Sequence, residues 1–148
     1  MAKEVEEFNA YREKMNTKIL AENNTVIKRI FNLDTNAFKK GALDTKTKEL
    51  LGLVASTVLR CDDCVRYHLE KCHSEGLTKK QIAEALSIAT LVGGTIVIPH
   101  LRRAYEYLEA LEAKFKKKNE KISTIAGGWN RSVNLRITSY NTKNRLFF

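Results

Sequence analysis

Between positions 60 and 73 the chain reads RCDDCVRYHLEKCH, which gathers all three of its cysteines and two of its three histidines. On a helix beginning at CDDC, Cys61, Cys64 and His68 follow one another at spacings of three and four residues and so share one face. Two sulfurs at that separation can close a small disulfide ring. An imidazole one turn further on can take a thiol proton, directly or through water, which is the thiol-plus-base arrangement of an activated nucleophile. The unpaired N–H groups of a helix start also stabilise an anion, which favours a thiolate and favours Cys61 in particular. Asp62 and Asp63 oppose that effect at the sulfurs, and Arg60 and Arg66 are placed in sequence to offset them.

A carboxylate under this cluster could orient His68 or move protons itself. Glu49 lies twelve residues before Cys61, and a tight turn near Arg60 would bring it there on an antiparallel helix. Composition alone does not select Glu49 over Lys48 or Glu70. Cys61, Cys64 and His68 are also zinc-ligand types, and a fourth ligand would have to be His73, Cys72, His100 or a carboxylate. No second CxxC and no spaced histidine pair completes the usual structural zinc pattern. Cys72 shares the face of Cys64 and reads at least as well as a small buried hydrophobe as it does as a resolving thiol. His73 and Glu84 read as solvent-facing, and His100 as a cap or packing residue.

The elements that must position these groups are helical. Residues 4–20 carry Phe8, Tyr11, Met15 and Ile19 on one stripe. VIKRIF at 26–31 suggests a short helix, followed by a loop through Gly41. Asp44 is an N-cap for a helix to about Leu59, with Leu50, Leu51, Val54 and Val58 as its apolar face. The CDDC helix should end near Gly76 in a left-handed cap. Thr78 and Gln81 form a capping box before IAEALSIATLVGGTIVI, which is too short and too interrupted to span a membrane. Gly93-Gly94 suggests close helix approach or a local break, and Pro99 should kink or end that helix. A further helix should run from His100 to about Lys118 with Leu101, Tyr105, Leu108 and Leu111 inward.

Beyond Ile122 the pattern changes. The pair Gly127-Gly128 should break any helix, and SVNLRITSY alternates as a short strand or extended arm would. From Lys114 onward nine basic residues and one Glu hold +8 of the chain's +9, leaving residues 1–113 near neutral at +1. The expected organisation is an all-α domain over 1–121 and a basic, non-helical extension over 122–148. That extension could clasp a neighbouring subunit, or bind nucleic acid or an anionic surface.

At 148 residues, 43% hydrophobic and 29% charged, the chain suits one soluble domain. The start MAKEVEEFNAYREK has no apolar signal-peptide core, and an odd number of cysteines argues against a secreted disulfide framework. A reducing, cytoplasmic setting is expected, where close cysteines are usually catalytic or metal-binding.

The stretch LDTKTKELLGLVASTVLRCDDCVRYHLEKCHSEGLTKKQIAEALSIATLVGG closely resembles the carboxymuconolactone decarboxylase superfamily in its AhpD-like alkylhydroperoxidase branch, over roughly residues 43–111. The shared signature is a glutamate, a twelve-residue step to CxxC, and a histidine four after the second cysteine, matched by Glu49, Cys61, Cys64 and His68. The resemblance implies an all-α fold, assembly into trimers or hexamers, and no cofactor. It implies that Cys64 attacks a peroxide, Cys61 closes the disulfide, His68 and Glu49 relay the proton, and an external dithiol or protein disulfide reductant restores the pair. The implied substrate is hydrogen peroxide or an organic hydroperoxide; the alternatives are a disulfide oxidoreductase or redox sensor, and a zinc-binding structural protein. Asp63 stands where the best-known peroxidase members have another histidine, and the basic extension has no counterpart in the family core.

Overall fold

The computed structural model describes residues 2–129. Six α-helices follow one another: α1 (Ala2–Ala21), α2 (Thr25–Ala37), α3 (Thr45–Val58), α4 (Asp62–Ser74), α5 (Lys79–Gly93) and α6 (Ile98–Trp129). A short 3₁₀ turn, Thr95–Val97, precedes α6, and no strand occurs among the described residues.

Side-chain caps set most of the starts. The carboxylate of Asp44 accepts the Thr47 N–H at 2.7 Å, and Asn24 accepts from Val26 and Ile27. Thr78 and Gln81 complete the capping box in both directions. The ends of α3 and α4 use the same device. At α4 the Leu77 N–H bonds to the Cys72 carbonyl and the Gly76 N–H to that of His73, with Gly76 at φ 78°. At α3 the Cys61 N–H bonds to Ser56 and the Arg60 N–H to Thr57, with Arg60 at φ 60°. This left-handed turn folds α4 back along α3 with only Leu59, Arg60 and Cys61 between them.

The core lies where α3 packs on α4 and α5, and where α1 and α4 pack on α6. Leu53, Val65, Leu69, Ile82, Leu86, Val97, Tyr107, Leu108 and Leu111 are fully buried or nearly so. Across it, Glu70 accepts two hydrogen bonds from Asn9 and one from the Tyr107 hydroxyl, tying α1, α4 and α6 together.

Several expectations need correction. In α1 only Val5 and Phe8 are buried in the core, while Tyr11 and Ile19 are exposed. The helix begun at VIKRIF continues to Ala37. In α3 the fully buried residues are Glu49, Leu53, Ser56 and Thr57; of the expected stripe Leu50 packs partly buried against the core, Val54 and Val58 are half-buried, and Leu51 is exposed. Three of those four buried residues are polar, so hydropathy does not mark the face. The break at Gly93-Gly94 is real, with Gly94 at φ 75°, but Pro99 is the second residue of α6 instead of a terminator. Proline fits the first turn of a helix because the N–H it lacks would have no partner there.

The expected non-helical arm is also corrected in part. α6 runs through Gly127 and Gly128 to Trp129. Each glycine costs about 1 kcal/mol relative to alanine, which weakens a continuing helix without stopping it. The segment SVNLRITSY lies outside the described residues. Among those that are described, no helix is long and apolar enough to cross a membrane.

Candidate active site

The α3–α4 turn places Cys61 as the N-cap of α4 and Cys64 one turn inside it. The two are joined as a disulfide, with an S–S distance of 2.16 Å and Cα atoms 5.3 Å apart. Both cysteines are half-buried. The Cys64 N–H points at the Cys61 sulfur at 3.4 Å, so the anion-stabilising end of the helix is directed at that atom.

One turn beyond Cys64, His68 is buried on the α3 side. Its Nδ1 lies 2.8 Å from Oε2 of Glu49, and both residues are almost fully enclosed. A carboxylate only accepts, so Nδ1 carries the proton and Nε2 is left for a second partner. The sequence alternatives to Glu49 have other work. Lys48 donates to the carbonyls of Ala37 and Lys39 at 2.7 Å, capping the end of α2, while Glu70 serves the core.

Three residues that sequence reasoning missed shape the imidazole's chamber. Gly52 sits on α3 three residues after Glu49, and a Cβ there would lie 2.5 Å from Cε1 of His68. Phe38 and Tyr67 close the sides, each with its ring centroid 5.2 Å from that of His68. Burial, then the nearby charge of Glu49, pushes the Tyr67 hydroxyl pKa up. A glycine inside an otherwise good helix was the one available signal; Phe38 comes from the end of α2 and gave none.

The remaining candidates separate from this centre. Cys72 is fully buried, and its thiol is pushed up to about 12 by burial first and by Glu49 second, so it stays protonated. That is the small-hydrophobe role. His73, expected in solvent, is half-buried and stacks on Phe115 of α6 with ring centroids 4.1 Å apart. Glu84 is exposed. His100 is a packing residue in the sense expected, since its Nδ1 meets Oδ1 of Asp62 at 2.8 Å, while Nε of Arg103 meets Oδ2 at 2.8 Å. Burial works to raise the Asp62 pKa, but the hydrogen bonds from His100 and Arg103 outweigh it and hold the carboxyl below its usual value. Arg66, one of the two arginines expected to offset the acids, does so at Asp63, 3.6 Å away. At Asp62 that part falls to Arg103, which sequence did not indicate. Among the described residues, no group of three or more His, Cys, Asp or Glu side chains is placed to hold a metal ion.

Comparison with known proteins bears on the family and the fold. Residues 25–107 match the model of the carboxymuconolactone decarboxylase family. The chain is 40% identical over 62 residues to alkyl hydroperoxide reductase AhpD of Corynebacterium kroppenstedtii, covering 42% of this chain and 36% of that protein. It therefore spans only about a third of that relative's length. A protein of the cox locus of Paracoccus denitrificans, itself uncharacterized, is 31% identical over 75 residues, 51% of this chain and 68% of its own. Among solved structures, TM1620 of Thermotoga maritima superimposes with a TM-score of 0.74 at 55% identity, covering 75% of this chain and 97% of its own. Apo-lpg0406 of Legionella pneumophila, a carboxymuconolactone decarboxylase family protein, gives 0.64 at 28% identity over 75% of this chain and 96% of its own. With a matching family model over more than half its length and the same helical fold, the chain belongs to the carboxymuconolactone decarboxylase family.

Proposed function

We propose that the protein is a thiol-dependent peroxidase that reduces hydrogen peroxide or organic hydroperoxides through Cys61 and Cys64. The observation that carries this reading is the half-buried disulfide at the start of α4 with the sealed Glu49–His68 contact one turn further on. The cysteines and His68 share the start of α4, and Glu49 reaches His68 from α3.

The thiolate of Cys64 attacks the terminal oxygen of ROOH, forming an S–O bond as the O–O bond breaks. The proton that Nε2 of His68 took from the Cys64 thiol, directly or through water, passes to the departing RO⁻, which leaves as ROH. The Cys61 sulfur then attacks the sulfenic acid of Cys64. An S–S bond forms, the S–O bond breaks, and the hydroxyl departs as water with the Cys61 proton. An external dithiol, free or carried on a protein reductant, supplies two electrons and two protons to reopen the disulfide. Glu49 fixes the orientation of the imidazole through its contact with Nδ1.

The reducing compartment this cycle needs is the cytoplasm. Self-association into a trimer or hexamer is part of the proposal, supported by exposed Leu51, Leu59, Ile88, Leu91, Val92 and Ile96. The basic segment beyond Lys121 is proposed as a subunit clasp, with binding to nucleic acid or an anionic surface as the alternative tested by salt-dependent retention. Asp63 favours a second reading, thiol–disulfide exchange or redox sensing with little peroxide turnover, because its charge disfavours the adjacent Cys64 thiolate.

Peroxide consumption coupled to a dithiol tests both. Cys64→Ser should abolish turnover, Cys61→Ser should trap a sulfenic acid on Cys64, and His68→Ala should slow the reaction by about 10²-fold or more. Full peroxide consumption by Cys64→Ser would overturn the peroxidase reading. Disulfide formation without peroxide consumption in the unmodified protein would select the second.

A further inference from the structure

The CDDC segment places two carboxylates between and beside the sulfurs, at the end of α4 where negative charge is already drawn. The two are treated differently. Asp63 is largely exposed and meets Arg66 at 3.6 Å on its own helix. Asp62, the first residue of α4, has both oxygens engaged at 2.8 Å by another element: Oδ1 by His100 and Oδ2 by Arg103, from the first turns of α6. His100 is well covered and Asp62 is partly so, which makes the contact more than a solvent-side encounter.

An aspartate at this position has a ready alternative. Its carboxylate can turn back onto the free N–H groups at the start of its own helix, as first-turn acids commonly do. The same N–H groups are the ones that favour a thiolate, and the Cys64 N–H already points at the Cys61 sulfur. A carboxylate turned inward would compete for them and repel the sulfur anion. Turned toward α6, with both oxygens satisfied by cationic or proton-donating groups, it does neither. The lowered carboxyl pKa of Asp62 agrees with a charge that is held and compensated.

We propose that Arg103 and His100 are positioning residues for the cysteine pair. By holding the Asp62 carboxylate against α6, they keep it off the start of α4 and so set the balance between the disulfide and the dithiol. The couple is Cys61–S–S–Cys64 plus an external dithiol giving two thiols plus the oxidised donor, with two electrons and two protons passing from donor to protein. Where one product thiol then ionises, its proton passes to solvent, and whatever stabilises that thiolate draws the couple toward the reduced form. The inference rests on the reading of Cys61 and Cys64 as a redox pair, but it does not require peroxide as the oxidant.

The test is an equilibrium one. The full chain is brought to equilibrium with mixtures of reduced and oxidised dithiothreitol, quenched, alkylated and weighed. The thiolate is titrated separately by its ultraviolet absorbance. Arg103→Met should move the equilibrium toward the disulfide by about two- to fivefold, the size expected of a partly exposed charge contact, and should raise the titrating thiol pKa. Arg103→Lys, which keeps a cation, should recover most of the shift. In an Asp62→Asn background, Arg103→Met should change the equilibrium little, since the carboxylate it restrains is gone. Should Arg103→Met not fold, His100→Ala frees the other oxygen and carries the same expectation.

An unchanged equilibrium in a folded Arg103→Met protein would overturn the proposal and leave the contact as a structural latch. A shift that persists at full size in the Asp62→Asn background would also overturn it, because Arg103 would then act on the sulfur directly. A cysteine pair that does not cycle in any background would overturn the redox reading together with this one. A shift in a protein that consumes no peroxide would support the proposal while removing the peroxidase assignment.

Discussion

The helix α4 carries two histidine–carboxylate contacts of equal length, 2.8 Å, and they sit in opposite surroundings. In Glu49–His68 the side chains are 4% and 10% exposed; in Asp62–His100 they are 32% and 18% exposed, and Arg103 shares the load. Distance therefore says little about what each contact is worth. A sealed pair has exchanged all its water for one partner, so losing that partner leaves a buried polar group with nothing. An open pair falls back on water at small cost. The same difference separates their uses, since a sealed imidazole has a fixed orientation for moving a proton, whereas a half-open carboxylate is suited to being turned.

The sharpest way to break the comparison is at Glu49. Glu49→Ala strands the Nδ1 proton of His68 and should cost about 1–3 kcal/mol of unfolding free energy in denaturant titration. Peroxide turnover should fall by about 10²-fold or more, because the imidazole loses the carboxylate that holds its orientation. Glu49→Gln keeps an acceptor oxygen and should recover most of the stability with little of the rate. A Glu49→Gln rate equal to that of the parent would mean that the carboxylate's charge has no part in the chemistry.

Gly52→Ala attacks the same pair from its other side. The added methyl would lie 2.5 Å from Cε1 of His68 and 2.8 Å from both ring nitrogens, so the imidazole must move. Alanine contributes about 1 kcal/mol to the helix relative to glycine, which partly offsets the clash. The expected signature is consequently uneven: turnover lower by about tenfold or more, with a melting temperature close to that of the parent. An unchanged rate would show that the site does not depend on where His68 stands.

The two pairs were not equally legible. Cys61, Cys64 and His68 share a face by spacing alone, whereas spacing left Glu49 level with Lys48 and Glu70, and the family resemblance singled it out. The caps at Asp44, Thr78 and Gly76 are local too, and they appear where their side-chain or backbone chemistry puts them. Arg103 is different. It stands forty-one positions from Asp62, and only the packing of α6 across the start of α4 brings them together. Phe38 reaches His68 in the same way, from a helix that VIKRIF predicts too short. The buried face of α3 was hidden for a related reason: Ser56 and Thr57 are polar, yet the Thr57 hydroxyl satisfies itself on the Leu53 carbonyl at 2.7 Å and can be buried cheaply. Local chemistry was readable; pairing across the bundle was not.

The open pair gives the smallest effect and a test with a direction. The carboxyl of Asp62 is held below its ordinary 3.8 in the fold, so the folded state binds its proton less readily than the unfolded chain does. Its contribution to stability is then fully present above the unfolded value, and it is lost as pH falls through the lowered folded value. Asp62→Asn should reduce unfolding free energy by less than about 1 kcal/mol at neutral pH, given a contact that solvent still reaches. The gap between parent and variant should stay constant down to about pH 5 and close progressively below 3.8, where the parent's carboxylate is neutralised as well. Denaturant titrations of both proteins across that range measure the closing directly. A deficit as large as that of Glu49→Ala, or one that persists undiminished in acid, would mean that the Asp62 contact is sealed in solution and that burial does not distinguish the two pairs.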